Sequence, residues 1–193
     1  YVSAEDAMEC GVTAESMALA EKMPAASYHD LPDWKGHTLI ARDEFNNFGL
    51  GRKYTEEEVV AIALSGFNFV RVPLKFDQLF DGIDMTQVCS AYLETIDDLL
   101  NWCAEYGIHI CFDLHDMPGY TTNGDDSDDI LFWDEESQSH FVGFWQFIAQ
   151  RYKDVPSNLL SFNLLNEPHG NPEHELTDEA YSAVMQKAID AVR

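Results

Sequence analysis

Three apolar runs in this chain stop abruptly at ionisable side chains, and a proline or glycine turn follows each stop. They are Val70-Arg71-Val72-Pro73, Asp113-Leu114-His115-Asp116-Met117-Pro118-Gly119 and Leu165-Asn166-Glu167-Pro168-His169. Carboxyl and imidazole groups move protons in catalysis, and a guanidinium holds charge beside them. Uncharged turn formers would serve as mere strand caps. The chemistry requires the three runs to be parallel strands, because catalytic groups of parallel barrels sit at the C-terminal strand ends.

The surrounding sequence predicts that arrangement. From His37 onward, strand-like and helix-like segments alternate, the pattern of parallel strands joined by crossover helices. The first strand is expected near His37 to Ala41. A helix then starts at Thr55, where Thr55 and Glu58 form a capping box and Glu56 and Glu57 suit the positive helix end. A second strand is read over Phe67 to Val72 after Gly66. The second helix carries Leu93, Ile96, Leu100 and Cys103 at helical spacing and stops at Gly107. A third strand follows over Ile108 to Leu114, then a helix with the apolar stripe Phe141, Phe144, Trp145, Ile148 and Tyr152. After Pro156 come a fourth strand, about Leu159 to Leu165, and a last helix containing Val184, Ala188, Ile189 and Val192.

Period-two alternation puts Leu165, Asn163 and Ser161 on the face of Glu167, with Leu164 and Phe162 opposite. It likewise groups His115 with Asp113, Cys111 and His109, against Leu114 and Phe112. One face is mixed polar and the other wholly apolar, as expected for strands with helices outside and a site within.

Four strand and helix units are half of the eight that close a (β/α)8 TIM barrel, which typically takes about 250 residues. A half-barrel leaves strand edges unpaired. The α/β chain is therefore expected to supply about the first four units and to continue beyond Arg193. Residues 1–36 read as an extension or linker remnant, with a short helix near Ala14 to Met23 and a turn-rich Pro24 to Asp33 stretch. The alternative is a complete open sheet of flavodoxin type, but no glycine-rich phosphate loop follows the first strand.

Composition narrows the partners. With 35 acidic against 11 basic residues, the formal net charge is -24, which repels nucleic acid and anionic membranes. No apolar run approaches the roughly 20 residues of a membrane span, and no signal segment opens the chain. Cys10, Cys89, Cys103 and Cys111 lack metal-site spacing and read as buried thiols. The acidic Asp125 to Asp129 run lacks regular calcium-ligand spacing and reads as a solvated loop tip.

VRVP at 70–73, DLHDMPG at 113–119 and LLNEPH at 164–169 resemble, in order and spacing, the second, third and fourth strand ends of family five glycoside hydrolases, the cellulase family. The resemblance runs from about His37 to Arg193 and includes GFNFVRVP after the TEEEVVAIALS helix. It implies retaining hydrolysis of a β-linked polysaccharide, first of all a β-1,4-glucan, without metal or organic cofactor.

Glu167 matches the acid/base, Asn166 the residue that hydrogen-bonds the sugar 2-hydroxyl, Arg71 the arginine supporting the catalytic carboxylates, and His115 the histidine of the third strand. The nucleophile of the family lies on the seventh strand, past the end of this sequence, so the 193-residue chain alone is expected to be inactive. Asp116 stands where many members carry Asn or His, which puts its substrate contact in doubt. Tyr120, Trp133 and Phe76 are candidates to stack on sugars, and His169 and His37 could line the site. A mannan, xyloglucan or β-1,3-glucan substrate is also compatible, as is a barrel that binds carbohydrate without catalysis. An extracellular or periplasmic location is expected from the size of polymeric substrates.

Overall fold

A computed structural model describes residues 55–122 and 129–193 and the backbone of 36–38. The helix and turns expected before residue 34, Cys10, the end of the first strand and residues 125–128 of the acidic run lie outside the described residues, as does the His37 side chain. The elements are β1 (Gly36–Thr38), α1 (Glu56–Leu64), β2 (Phe69–Lys75), α2 (Phe76–Leu79), α3 (Ser90–Glu105), β3 (His109–Met117), β4 (Tyr120–Thr121), α4 (Glu135–Arg151), β5 (Leu160–Asn163) and α5 (Asp178–Val192). The sheet order is β1-β2-β3-β4, with β5 also paired to β3. Strand and helix thus alternate as the sequence predicts. Among the described residues, no helix is long and apolar enough to cross a membrane.

The chain divides into two compact units, and β2, β3 and β5 each contribute residues to both. Of the described residues, the first unit holds 36–38, 55–72, 90–111 and 156–161. Here β1 and β2 run parallel, with Gly36, His37 and Thr38 opposite Phe69, Val70 and Arg71. The capping box of α1 is present: the Thr55 hydroxyl accepts from the Glu58 amide, and Glu58 Oε2 accepts from the Thr55 amide at 2.8 Å. Helix α3 buries Tyr92, Ile96, Leu99 and Cys103, one stripe at helical spacing. Gly107, at φ +68, turns the chain from α3 into β3 through the left-handed region that glycine enters without penalty. Burial pushes the Cys103 thiol well above its ordinary range, while Cys111, and Cys89 of the second unit, are half-buried and not in disulfides. The buried His109 imidazole lies between the Asn158 carbonyl and the Ser161 hydroxyl, at 3.0 and 2.7 Å, and stacks on Phe69.

The second unit holds 73–89, 112–155 and 162–193, less the undescribed 123–128. The apolar sides of its strands meet α4: Phe162 stacks on Phe112 and lies 5.2 Å from Trp145, while Phe112 meets Tyr152 edge-on. The indole Nε1 of the fully buried Trp145 donates to the Leu164 carbonyl at 3.0 Å. Helix α4 starts at the cap residue Asp134, whose carboxylate accepts from the Ser137 amide at 2.7 Å, and α5 starts at Thr177 in the same way. The two helices pack together, with Lys187 Nζ donating to Gln138 Oε1.

Strand boundaries differ from the sequence reading. Strand β2 continues through Pro73 to Lys75 and leads directly into α2, which the sequence reading omits. Strand β3 extends to Met117 because Pro118-Gly119 turns it into a hairpin, pairing Asp116 with Thr121 and Met117 with Tyr120. Strand β5 is shorter than expected and ends at Asn163.

Candidate active site

The polar end of β3 is built first. Asp113 is fully buried and its Oδ2 lies 2.5 Å from Nε2 of His115, itself 6% exposed. A buried carboxylate facing an imidazole fixes the ring's orientation and tautomer, with Nε2-H donating and Nδ1 turned toward the Thr122 hydroxyl at 3.5 Å. The next residue, Asp116, forms an ion pair with Lys75 and accepts from Thr121 Oγ1 and the Thr122 amide. Burial opposes the Asp116 charge, but the Lys75 and Thr121 contacts outweigh it and hold the carboxyl below the usual carboxylate range.

Asn166 and Glu167 follow β5. The Asn166 amide donates to the Leu114 carbonyl at 2.8 Å, which fastens this segment to β3 one residue before His115. Asn166 is 4% exposed, whereas Glu167 is exposed. Glu167 adopts φ +49, a left-handed conformation that costs a non-glycine residue about 1–2 kcal/mol. Its carbonyl accepts from the Tyr120 hydroxyl at 2.7 Å and lies 2.7 Å from His169 Nδ1. The same hydroxyl reaches the Asn166 carbonyl at 2.7 Å, so one phenol spans the two peptides that flank the Glu167 Cα. His169 Nε2 lies 2.7 Å from Oδ2 of Asp129, a carboxylate only 2% exposed.

Beside the β3-β4 hairpin lies a cleft of about 280 Å³, lined among others by Phe76, Phe80, Ile83, Asp116 and Tyr120. Most of its lining is apolar, and Asp77 and Asp116 add two carboxyl groups to it.

The cellulase model, glycosyl hydrolase family 5, matches residues 34–193. The chain belongs to this family. Endoglucanase C of Acetivibrio thermocellus is 29% identical over 160 residues, which are 81% of this chain and 44% of that enzyme. The structure of Thermotoga maritima Cel5A in complex with cellobiose superposes with a TM-score of 0.64 at 25% identity, covering 83% of this chain and 47% of that one. A complex of Cel5A with mannotriose gives 0.63 at the same identity and coverage. The chain thus spans less than half the length of these relatives. Over the shared part its fold is the alternating strand and helix order of the (β/α)8 barrels of family 5.

Within this family 5 chain, the second unit brings together His115, Asp116, Tyr120, Asn166, Glu167 and His169. Arg71, half-buried on β2, belongs to the first unit. Tyr120 and Phe76, the candidates to stack on sugars, are 2% and 3% exposed. Phe76 packs on Phe80 and Phe144, and Tyr120 works through its hydroxyl. Trp133 is half-buried, its ring 5.1 Å from that of His174 and edge-on to Phe132. Asp116 ties the hairpin to Lys75 with contacts already made inside the protein.

The sequence reading missed Asp129 altogether, placing it in a solvated run. The available signal was its neighbour segment: Ile130-Leu131-Phe132 is apolar, and Leu131 and Phe132 are buried, so the chain returns to the core at Asp129. Asp113 was grouped correctly with His115, but its partnership was not read.

Proposed function

We propose that the protein hydrolyses β-glycosidic bonds of a glucan with retention of configuration, and that Glu167 is its acid/base. The observation that carries this reading is the setting of Asn166-Glu167. The segment is fastened to β3 beside the Asp113-His115 pair, with the Glu167 carboxyl exposed at the end of a buried, hydrogen-bonded backbone. An acid catalyst needs that combination of access for substrate and a fixed origin.

In the proposed reaction, the Glu167 carboxyl group protonates the departing glycosidic oxygen while a second, ionised carboxylate attacks the anomeric carbon. The two lie about 5–5.5 Å apart in retaining enzymes. Glu167 then takes a proton from the water that releases the sugar. Asn166 is assigned to the sugar 2-hydroxyl, where a hydrogen bond strengthens as the ring approaches an oxocarbenium ion. His115, held by Asp113, presents a fixed imidazole to the same region, and Arg71 is assigned to hold a catalytic carboxylate ionised.

A β-1,4-glucan cut internally is the first substrate to test, supported by the similarity to an endoglucanase and to a cellobiose-bound Cel5A. The mannotriose complex of Cel5A makes a β-mannan the second. A polymeric substrate would place the enzyme outside the cytoplasm. In the complete protein, Glu167→Gln is expected to lower kcat on cello-oligosaccharides by about 10²–10⁴-fold. Near-normal turnover would refute the assignment.

A further inference from the structure

Resting on Glu167 as the acid/base, we infer that Asp129 is a positioning residue. Through His169 and Tyr120 it fixes the left-handed backbone of Glu167, and with it the point from which the carboxyl group reaches substrate.

Among the described residues, nothing hydrogen-bonds the Glu167 carboxyl group, so its place is set through the main chain. That main chain adopts φ +49, which an L side chain adopts rarely and which neighbouring groups must therefore impose. Two carbonyls report its two dihedral angles: the Asn166 oxygen marks the peptide before Cα and the Glu167 oxygen the peptide after it. Both lie 2.7 Å from the Tyr120 hydroxyl, so a single phenol clamps φ and ψ together. His169 Nδ1 lies 2.7 Å from the Glu167 oxygen and 3.1 Å from the Tyr120 hydroxyl, which closes the group around that peptide.

The clamp needs an anchor, and Asp129 supplies it. One carboxylate oxygen accepts from the Thr121 amide at 2.8 Å, next to Tyr120 on β4. The other faces His169 Nε2 at 2.7 Å, which turns Nδ1 toward Glu167. The Asp129 carbonyl accepts from Asn171 Nδ2 at 2.7 Å. A residue 38 positions before Glu167 in sequence therefore grips the chain on both sides of it: β4, which carries the phenol, and the loop that follows Pro168. At 2% exposure, Asp129 and Tyr120 are shielded from water, which makes these bonds stiff and their loss consequential.

The test uses two substrates of the complete protein. Cellotetraose has a poor leaving group that must be protonated, whereas dinitrophenyl β-cellobioside releases a phenolate that needs no acid, so its kcat/KM is insensitive to the acid's position. Asp129→Asn keeps the side-chain shape but lacks one acceptor; Tyr120→Phe removes a single oxygen and is the gentler variant should the first fail to fold. Both are expected to lose about 10–100-fold in kcat on cellotetraose, with KM and the dinitrophenyl kcat/KM within about threefold of wild type. Equal losses on both substrates would mark a merely structural role and overturn the inference, as would no loss on either. Glu167→Gln is measured alongside: if it retains the cellotetraose rate, the acid/base assignment falls and the inference with it. If it loses that rate while the other two variants do not, only the inference falls.

Discussion

Gly119 closes the β3-β4 hairpin, and replacing it with alanine is expected to destabilise the protein by two separable routes. Its φ of +78 lies in the left-handed region, where an added Cβ costs about 1–2 kcal/mol. That Cβ would also overlap Ser137 Oγ and meet Ser137 Cβ at 2.8 Å and Ile130 Cγ1 at 3.2 Å. Carbons at rest stay about 3.5–4.0 Å apart, so rotating the Ser137 hydroxyl away leaves an overlap with its Cβ that only backbone movement relieves. Movement is resisted, because Ser137 sits in the first turn of α4 beneath the Asp134 cap and the Gly119 carbonyl accepts from both the Ile130 and Leu131 amides. Overpacking of this kind costs about 1–3 kcal/mol, giving a total near 2–5 kcal/mol for Gly119→Ala.

Denaturant unfolding in a double-mutant cycle separates the two routes. Ser137→Gly removes the two nearest atoms and leaves only the Ile130 contact, which a small side-chain shift relieves, so in that background Gly119→Ala is expected to cost mainly the backbone part, about 1–2 kcal/mol. A cost below about 1 kcal/mol in the wild-type background, or the same cost in both, would refute the packing argument.

Two further perturbations probe each unit. Trp145→Phe removes the donor to the Leu164 carbonyl and is expected to destabilise by about 1–3 kcal/mol, read as a lowered thermal midpoint; an unchanged midpoint would show that the bond contributes nothing. Burial holds the His109 pKa below its ordinary value of 6.5, against a smaller opposing effect of the Asn158 carbonyl. The unfolded chain therefore binds a proton before the folded one does, so the His109 contribution to stability falls as pH drops through about 6.5 toward the depressed folded value. Unfolding free energies at neutral and mildly acidic pH should diverge less in His109→Gln than in wild type, and an equal pH dependence would refute this.

Strand phase was legible because it is set by side chains, and strand length was not, because it is set by backbone partners. Phe112 and Phe162 were placed on the apolar side from alternation alone, and both lie against α4. Pro73 was read as ending β2, yet a proline is tolerated wherever the ladder does not need its missing N-H, and the strand continues two residues further. Alternation extended from Ser161 to Glu167 fails for the converse reason: β5 ends at Asn163, and the turn to φ +49 sets the direction of Glu167. Strand β4 has two residues, too few for any periodicity to show. Which strand ends come together was legible, in His115, Asn166 and Glu167. Asp129 and the Tyr120 hydroxyl were not, because their partners are 8 to 47 residues away and no local pattern encodes them.

These long-range partners resolve a conflict built into the proposed chemistry. A carboxyl group that protonates a polysaccharide must be reached by a large substrate, so it cannot be packed, and an unpacked side chain on a loop wanders. Here the division falls within one residue: the Glu167 side chain is exposed, while its carbonyl is bound by the almost fully buried Tyr120. The left-handed φ follows from the same arrangement, since it lets the side chain after the buried Asn166 face solvent while its carbonyl turns back to Tyr120. A glycine would take that backbone more readily but carries no carboxyl group. The strain at Glu167 is thus the expected mark of a residue whose side chain and backbone must face opposite ways.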